Sequence, residues 1–405
     1  MTVRRVAIET LYHGLYDGPH ATPKPSEDGP VFLGIGNITE DGKLDLNDIR
    51  HIAEEDYPSW TKRVTPQPGD IVFTYEATLN RYAIIPGGFR GCLGRRTALI
   101  RPNPDAVNSH FLFFYFFSED WRKTISENIL AGATVDRIPL TRFPTFPVTV
   151  PERAVQDRIA AILSAYDDLI ENNTRRIKVV KAIAQTIFQG ALSTFPDLWA
   201  NVPIEEVYEE LFDGPHATPK PSASGPIYLG IKNVTERGEL DLTETRHIAE
   251  EDFSQWTRRV VPRPGDIVFT YEATLNRYAI INRDFRGCLG RRMALIRPDE
   301  RQIDPYLFLH CLLSDQWRNE VRSKIISGAT VDRIPLTTFP TFRVQVPTPD
   351  LRARIGPAIR ACEELAENCR RRNDVLRTTR DLLLPKLISG ELPVQAAAEA
   401  MEQTA

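Results

Sequence analysis

Residues 151–189 read PERAVQDRIAAILSAYDDLIENNTRRIKVVKAIAQTIFQ. Apolar or small side chains recur at alternating steps of four and three. They are Val155, Ile159, Ile162, Tyr166 and Leu169, then polar Asn173 and Arg176, then Val180, Ile183 and Ile187. That spacing predicts a coiled-coil seam sustained over several heptads. At ~1.5 Å per residue, roughly 38 helical residues reach about 57 Å. A bare helix with one apolar stripe needs a partner, and residues 347–384 supply one. Leu351, Ile355, Ala358, Cys362, Leu365, Cys369, Arg372, Leu376, Thr379 and Leu383 keep the same register.

What these helices space is a repeat with a period of 196 residues. Asp17 aligns with Asp213, His51 with His247, Trp121 with Trp317 and Asp136 with Asp332, without one insertion. Over 17–102 there are 65 identities in 86 positions, and PGDIVFTYEATLNRYAII at 68–85 returns unchanged at 264–281. The layout is therefore a domain at 1–150, a helix at 151–195, a second domain at 196–346, a second helix at 347–393 and a tail at 394–405. The second helix can bury its seam against the first only by running back antiparallel. The expected fold is α+β, with two similar mixed α/β domains separated by a long antiparallel two-helix coiled coil, pseudo-twofold symmetric.

Within each domain, GPVFLGIGNI and PGDIVFTYEA are apolar runs bounded by Gly and Pro, hence strands. FRGCLGRRTALIRP reads as a further strand pair around a glycine turn, and NSHFLFFYFFSEDWRKTISENI as a helix. GATVDRIPLTRFPTFPVTVP is a loop and strand delivering the chain into the long helix.

Composition places the chain among globular proteins, with 42% hydrophobic and 26% charged residues. No apolar run approaches the ~18 residues of a membrane span, and no secretory signal is visible at the N-terminus. Cys92, Cys288, Cys311, Cys362 and Cys369 form no CxxC pair, which points to reduced thiols in a cytoplasm. The net charge is −4, but it is unevenly spread. Residues 61–101 are rich in Lys and Arg and 40–56 in acids, which suggests a domain with one basic face.

Catalytic signatures are absent. GIGN at 34–37 lacks a third glycine, and there is no phosphate-cradling GxxxxGK[ST], no HExxH and no Cys/His cluster with metal spacing. His20, His51, His216 and His247 stand without a nucleophile in frame. Asp17, Glu76 and Asp136 could meet as carboxylates, for which a structural role is the plainer reading. Readout of double-stranded DNA fits better. The loop Gly18–Lys24, with His20, Thr22 and Lys24, recurs with His216, Thr218 and Lys220. Tyr75, Glu76, Thr78, Asn80 and Arg81 follow a strand, as Tyr271, Glu272, Thr274, Asn276 and Arg277 do. Arg and Asn suit bidentate contacts to guanine and adenine, and Glu can accept from cytosine. Arg90, Arg95 and Arg96, with Arg286, Arg291 and Arg292, could meet phosphates. Thr134 and Arg137, and Thr330 and Arg333, lie in GATVDR segments that could seat a phosphate on backbone amides.

DGPHATPKPS…GPVFLGIGNI, PGDIVFTYEATLNRYAI, GATVDRIPL…FPTFPVTVPERAVQDRIAAIL and the closing LLLPKLISGEL together resemble the specificity (S) subunits of type I restriction–modification systems, over nearly the whole chain. The resemblance implies two target-recognition domains on an antiparallel coiled coil, each reading half of a bipartite DNA sequence. It implies no catalysis and no cofactor or metal in this chain. Two methyltransferase (M) subunits, using S-adenosylmethionine, would dock on the helices, and restriction (R) subunits, using ATP and Mg, would join them. Glu171, Asn172, Arg175 and Arg176, echoed by Glu367, Asn368, Arg371 and Arg372, are the expected partner-binding residues. This chain departs from the family in one respect, because its two domains are near copies. Like reading loops should select like bases, so an interrupted palindrome is expected. Differences such as Gly36 against Lys232, or 86–88 against 282–284, could break that symmetry at an outer base. Two alternatives stand beside this reading. One is a self-contained DNA-modifying enzyme, although the [NDS]PP[YFW] tetrapeptide of adenine methyltransferases is missing. The other is a protein-interaction scaffold without DNA binding.

Overall fold

The computed structural model describes residues 3–130, 135–326 and 331–395. It is a mixed α/β protein with two long helices, Arg153–Thr194 and Pro349–Ser389. The chain forms two compact units, Met1–Glu171 with Asn373–Ala405, and Asn172–Arg372. Each unit contains one repeat domain and a segment of each long helix.

In the first unit, four strands form an antiparallel sheet in the order Tyr12–Asp17, Thr97–Pro102, Ile71–Thr74, Tyr82–Ile84. Ile71–Thr74 is buried on both faces, which explains its unbroken apolar run. Ile71 and Phe73 join the core made with the helices, while Val72 joins a second core with Leu33, Leu93 and Leu99. That second core backs onto a three-stranded sheet, Arg50–His51, Ser26–Leu33 and Gly91–Leu93, whose last two strands pair in parallel. Val3–Ala7 pairs with Pro147–Pro151 and closes the domain where the long helix begins. The second unit repeats each of these pairings, from Trp199–Pro203 with Arg343–Pro347 inward.

Two local expectations change. The strands of FRGCLGRRTALIRP do not pair with each other. Gly91–Leu93 joins the three-stranded sheet and Thr97–Pro102 the four-stranded one, so the glycine turn carries the chain between sheets. The single helix expected over NSHFLFFYFFSEDWRKTISENI is two helices, Ser109–Tyr115 and Glu119–Asn128. Ser118 divides them because its side chain caps the second, accepting from Trp121 N at 3.3 Å.

The seam also shifts. Ile159, Tyr166 and Asn173 are buried as expected, but Leu169 is 41% exposed and Ile183 45%. Leu163, Ile170 and Ala184 are buried instead. In the second helix Leu351, Ile355 and Cys369 are buried as expected, but Leu365 is 46% exposed and Ile359, Ala366 and Asn373 are buried instead. The stripe one residue later carries Asp167, Lys181, Glu363 and Arg380, whose charges pair across the helices, Arg380 with Asp167 and Lys181 with Glu363. Within each unit the helix segments run antiparallel. In the first, Asn373 Nδ2 donates to Ile170 O at 3.2 Å, Arg380 pairs with Asp167, and Leu387 shares a core with Ile159 and Leu163. In the second, Lys181 lies 3.5 Å from Glu363, and the Arg354 guanidinium sits 4.5 Å over the Phe195 ring.

Candidate nucleic-acid interface

The Tyr75–Arg81 loop is shaped by its backbone. Thr74 N donates to Arg81 O at 3.0 Å and closes the loop over the end of the strand. Ala77 and Asn80 take left-handed φ values of 70° and 61°, which costs a non-glycine residue ~1 kcal/mol or more. Tyr75 N donates to Arg96 O at 3.2 Å, Ala77 N to Asp136 O at 3.0 Å, and Ile138 N to Tyr75 O at 2.7 Å. Arg96 is left-handed too, at 70°. The loop at 18–24 joins the group because Gly18 N donates to Thr97 O at 2.9 Å. Only glycine fits there, since a Cβ on Gly18 would lie 2.1 Å from Gly94 O. The structure thus gathers residues 17–20, 75–81, 94–97 and 136–138.

The second domain repeats the arrangement with Ala273 at 69°, Asn276 at 60° and Arg292 at 69°. Ala273 N donates to Asp332 O at 3.1 Å, and Ile334 N to Tyr271 O at 2.7 Å. The two loops, identical in sequence, hold the same strained residues in the same conformation.

Electrostatics sort the arginines. Arg81 Nη2 reaches Glu40 at 2.9 Å, Arg96 Nε lies 3.3 Å from Glu76, and Arg90 pairs with Glu54 and lies 4.6 Å over the Tyr57 ring. Their counterparts do likewise, Arg277 with Glu236 at 3.0 Å, Arg292 with Glu272 at 3.4 Å and Arg286 with Glu250. Arg90 holds the Glu54 carboxyl below its usual range, and Arg286 does the same to Glu250. The opposite-signed segments at 40–56 and 61–101 therefore pair with one another, and the broad basic face expected from the sequence is narrower. Among the described residues, Lys24, Arg95 and Arg137, and Lys220, Arg291 and Arg333, are exposed and carry no ion pair. Each is a free cation. Arg90 and Arg286 flank the three-stranded sheet and stand apart from the gathered loops.

Thr22 and Thr218 are exposed, and Thr78 and Thr274 are half-buried. Asn80 accepts from Tyr82 OH at 3.3 Å. Tyr75 and Tyr271 are not readers: they are about 5% and 6% exposed and support the loop from below. Burial pushes both phenols up, with Asp17 and Asp213 adding to it. These two aspartates hold the neighbouring loop rather than a carboxylate site. Asp17 lies 3.3 Å from His20 and pairs with Arg63, and Asp213 lies 2.8 Å from His216 and 3.7 Å from Arg259. In the second unit this loop borders a cleft of ≈ 430 Å³ lined also by Gln255, Trp256 and Arg258. Thr134 and Thr330 lie outside the described residues, as does most of each GATV segment.

The helix residues divide as well. Arg176 and Arg372 are exposed. Glu171 and Arg175 are exposed, each with an interaction of its own. Glu367 is different: it is 7% exposed, accepts from Tyr306 OH at 3.1 Å and from Arg283 N at 3.3 Å, and so faces its own domain. Arg371 reaches Asp284 at 3.9 Å. The 282–284 loop therefore seats on the helix.

Residues 30–182 match the type I restriction modification DNA specificity domain. Over 385 residues the chain is 22% identical to the type I restriction enzyme MjaIX specificity subunit of Methanocaldococcus jannaschii, covering 85% of this chain and 82% of that one. It is 20% identical to the putative MjaX specificity subunit of the same organism, over 96% and 92%. A crystal structure of a type I restriction–modification system S subunit from M. genitalium shares the fold, with a TM-score of 0.58 at 14% identity over 96% of each chain. The resemblance read from the sequence motifs is borne out.

Proposed function

We infer that this chain is the specificity subunit of a type I restriction–modification system and reads an interrupted palindrome. The observation that carries the palindrome is the duplicated reading cluster. Asn80 and Asn276, Glu76 and Glu272, and Arg81 and Arg277 are the same residues in loops whose φ values at Ala77 and Ala273, 70° and 69°, and at Asn80 and Asn276, 61° and 60°, agree. Like side chains on like backbones select like bases, and each wrong base pair costs ~1–3 kcal/mol. The free cations at Lys24, Arg95 and Arg137 and their counterparts supply the sequence-independent attraction to phosphates.

In this reading the two long helices form an antiparallel coiled coil that spaces the recognition domains and carries two M subunits, with R subunits joining the complex in the cytoplasm. The chain itself is non-catalytic. S-adenosylmethionine belongs to the M subunit, and ATP and Mg to the R subunit. Arg175, Arg176 and Arg372 present the polar helix face to that partner. Glu367 does not, because it serves the second domain's seat.

Mapping methylated adenines in a host carrying the M and S genes tests the reading. An interrupted palindrome is the expected motif, and two unrelated half-sites would overturn it. Fluorescence anisotropy with that duplex over a salt series separates a DNA reader from a protein scaffold, because phosphate contacts give a steep negative slope.

A further inference from the structure

The two near-copy domains are seated on their helices by different chemistry. Ser109–Tyr115 and its counterpart Pro305–Leu313 are the elements that meet the long helices. Across 103–118 and 299–314 the two repeats share only Ser118 and Ser314, beside 65 identities in the 86 positions just before. The neighbouring helix keeps only Trp121 and Arg122, as Trp317 and Arg318, and close identity resumes beyond it.

The second unit's seat is polar and buried. His310 and Glu363 are each 6% exposed, with His310 Nε2 3.1 Å from Glu363 Oε1. Lys181 bridges Glu363 at 3.5 Å and Glu239 at 2.9 Å, and Arg370 also pairs with Glu239. Arg360 pairs with Asp304, and Tyr306 donates to Glu367. The first unit keeps an acid at the places of Glu363 and Glu367, Asp167 and Glu171, and pairs Asp167 with Arg380, but replaces the groups on the domain side. Phe114 stands for His310, Lys43 for Glu239, Asn108 for Asp304 and Ser164 for Arg360. Phe113 and Phe114 pack in a core with Leu163, Tyr166 and Leu384. Asn108 N instead donates to Gln156 Oε1 at 2.9 Å, and Asn108 Nδ2 to Asp157 at 2.8 Å.

A phenylalanine placed against Glu363 and Lys181 would strand buried charge, and His310 in place of Phe114 would break the apolar packing on Leu163 and Leu384 beside an Asp167 already paired with Arg380. Neither seat accepts the other domain. We propose that these seats are addresses: they fix which copy occupies which helix segment and bar exchange of the two domains, within one chain or between two copies of it. Domains that read like half-sites cannot be told apart by DNA, so only their seats can distinguish them.

Two full-length chimeras test this. In the first, residues 3–150 are replaced by the sequence of 199–346, which keeps every reading loop but puts the polar seat on the first unit's helices. In the second, 153–176 and 373–389 are also replaced, by the sequences of 349–372 and 177–193, so the helix faces match the transplanted domain. The first chimera should lose the thermal transition of one unit and bind the bipartite duplex about 100-fold more weakly. The second should regain both to within about threefold. A first chimera that melts like the parent overturns the proposal, and so does a second as impaired as the first. Thermal unfolding reads the seat whether or not the chain binds DNA, so failure of the functional reading would show separately as no binding by the parent.

Discussion

Replacing Asn80 by glycine separates the side chain of the reading loop from its backbone. Asn80 holds φ at 61°, a conformation that glycine adopts freely and alanine resists by ~1–2 kcal/mol. Within the protein the change removes the 3.3 Å hydrogen bond from Tyr82 OH, long enough to contribute no more than ~0.5 kcal/mol net. Asn80→Gly should therefore melt close to the parent, and Asn80→Ala several degrees lower. If the amide reads a base, its loss removes ~1–3 kcal/mol of discrimination, which is roughly 5- to 150-fold in the ratio of target to single-mismatch affinity. The assay is anisotropy with duplexes altered one base pair at a time. Asn80→Gly should relax one position in one half-site, and Asn276→Gly the mirror-related position in the other. The salt slope should stay unchanged, since no charge is removed. Equal weakening on every duplex, or relaxation in both half-sites from one substitution, would refute base reading by this residue.

Other outcomes follow from the same geometry. Arg95→Ala should weaken all duplexes alike and lower the salt slope by about one unit, because Arg95 is exposed and unpaired. Asp70→Asn should lower stability by ~3–5 kcal/mol in denaturant titration, since Arg101 grips this 3% exposed carboxylate at 2.8 and 2.9 Å. Acid should unfold the second unit before the first. Burial pushes Glu363 up, but His310 and Lys181 outweigh it, and Lys181 and Arg370 do the same for Glu239, so both sit below their ordinary 4.5. Their stabilisation is fully present above that value and is lost as pH falls below it, through the lowered values of the folded state. Asp167 in the first unit is pushed up from 3.8 by burial against the pull of Arg380, so the sign there is opposite. Hydrogen exchange resolved by unit between pH 6 and 3 checks the order. Inserting four residues beside Asn173 lengthens the first long helix by ~6 Å and turns it by about 40°, so the preferred gap between half-sites should change.

A period of 196 residues, apolar runs bounded by glycine and proline, and two long heptad patterns were enough to determine two like mixed domains and two long helices. These are local and periodic properties, carried by residue type alone. The candidate reading loop was legible for the same reason, because PGDIVFTYEATLNRYAII occurs twice. What only the tertiary structure decided depends on distant partners. Leu169 and Leu163 are equally apolar, and Leu163 is the buried one because the first domain's Phe114 and the second helix's Leu387 pack in its core. Arg81, Arg90 and Arg95 look alike along the chain, yet acids some 40 positions away neutralise the first two and leave Arg95 free. Glu367 and Glu171 occupy equivalent heptad positions, and Tyr306 turns only Glu367 inward. Charge pairing and desolvation are set by what folding brings within a few ångströms, which no periodicity records.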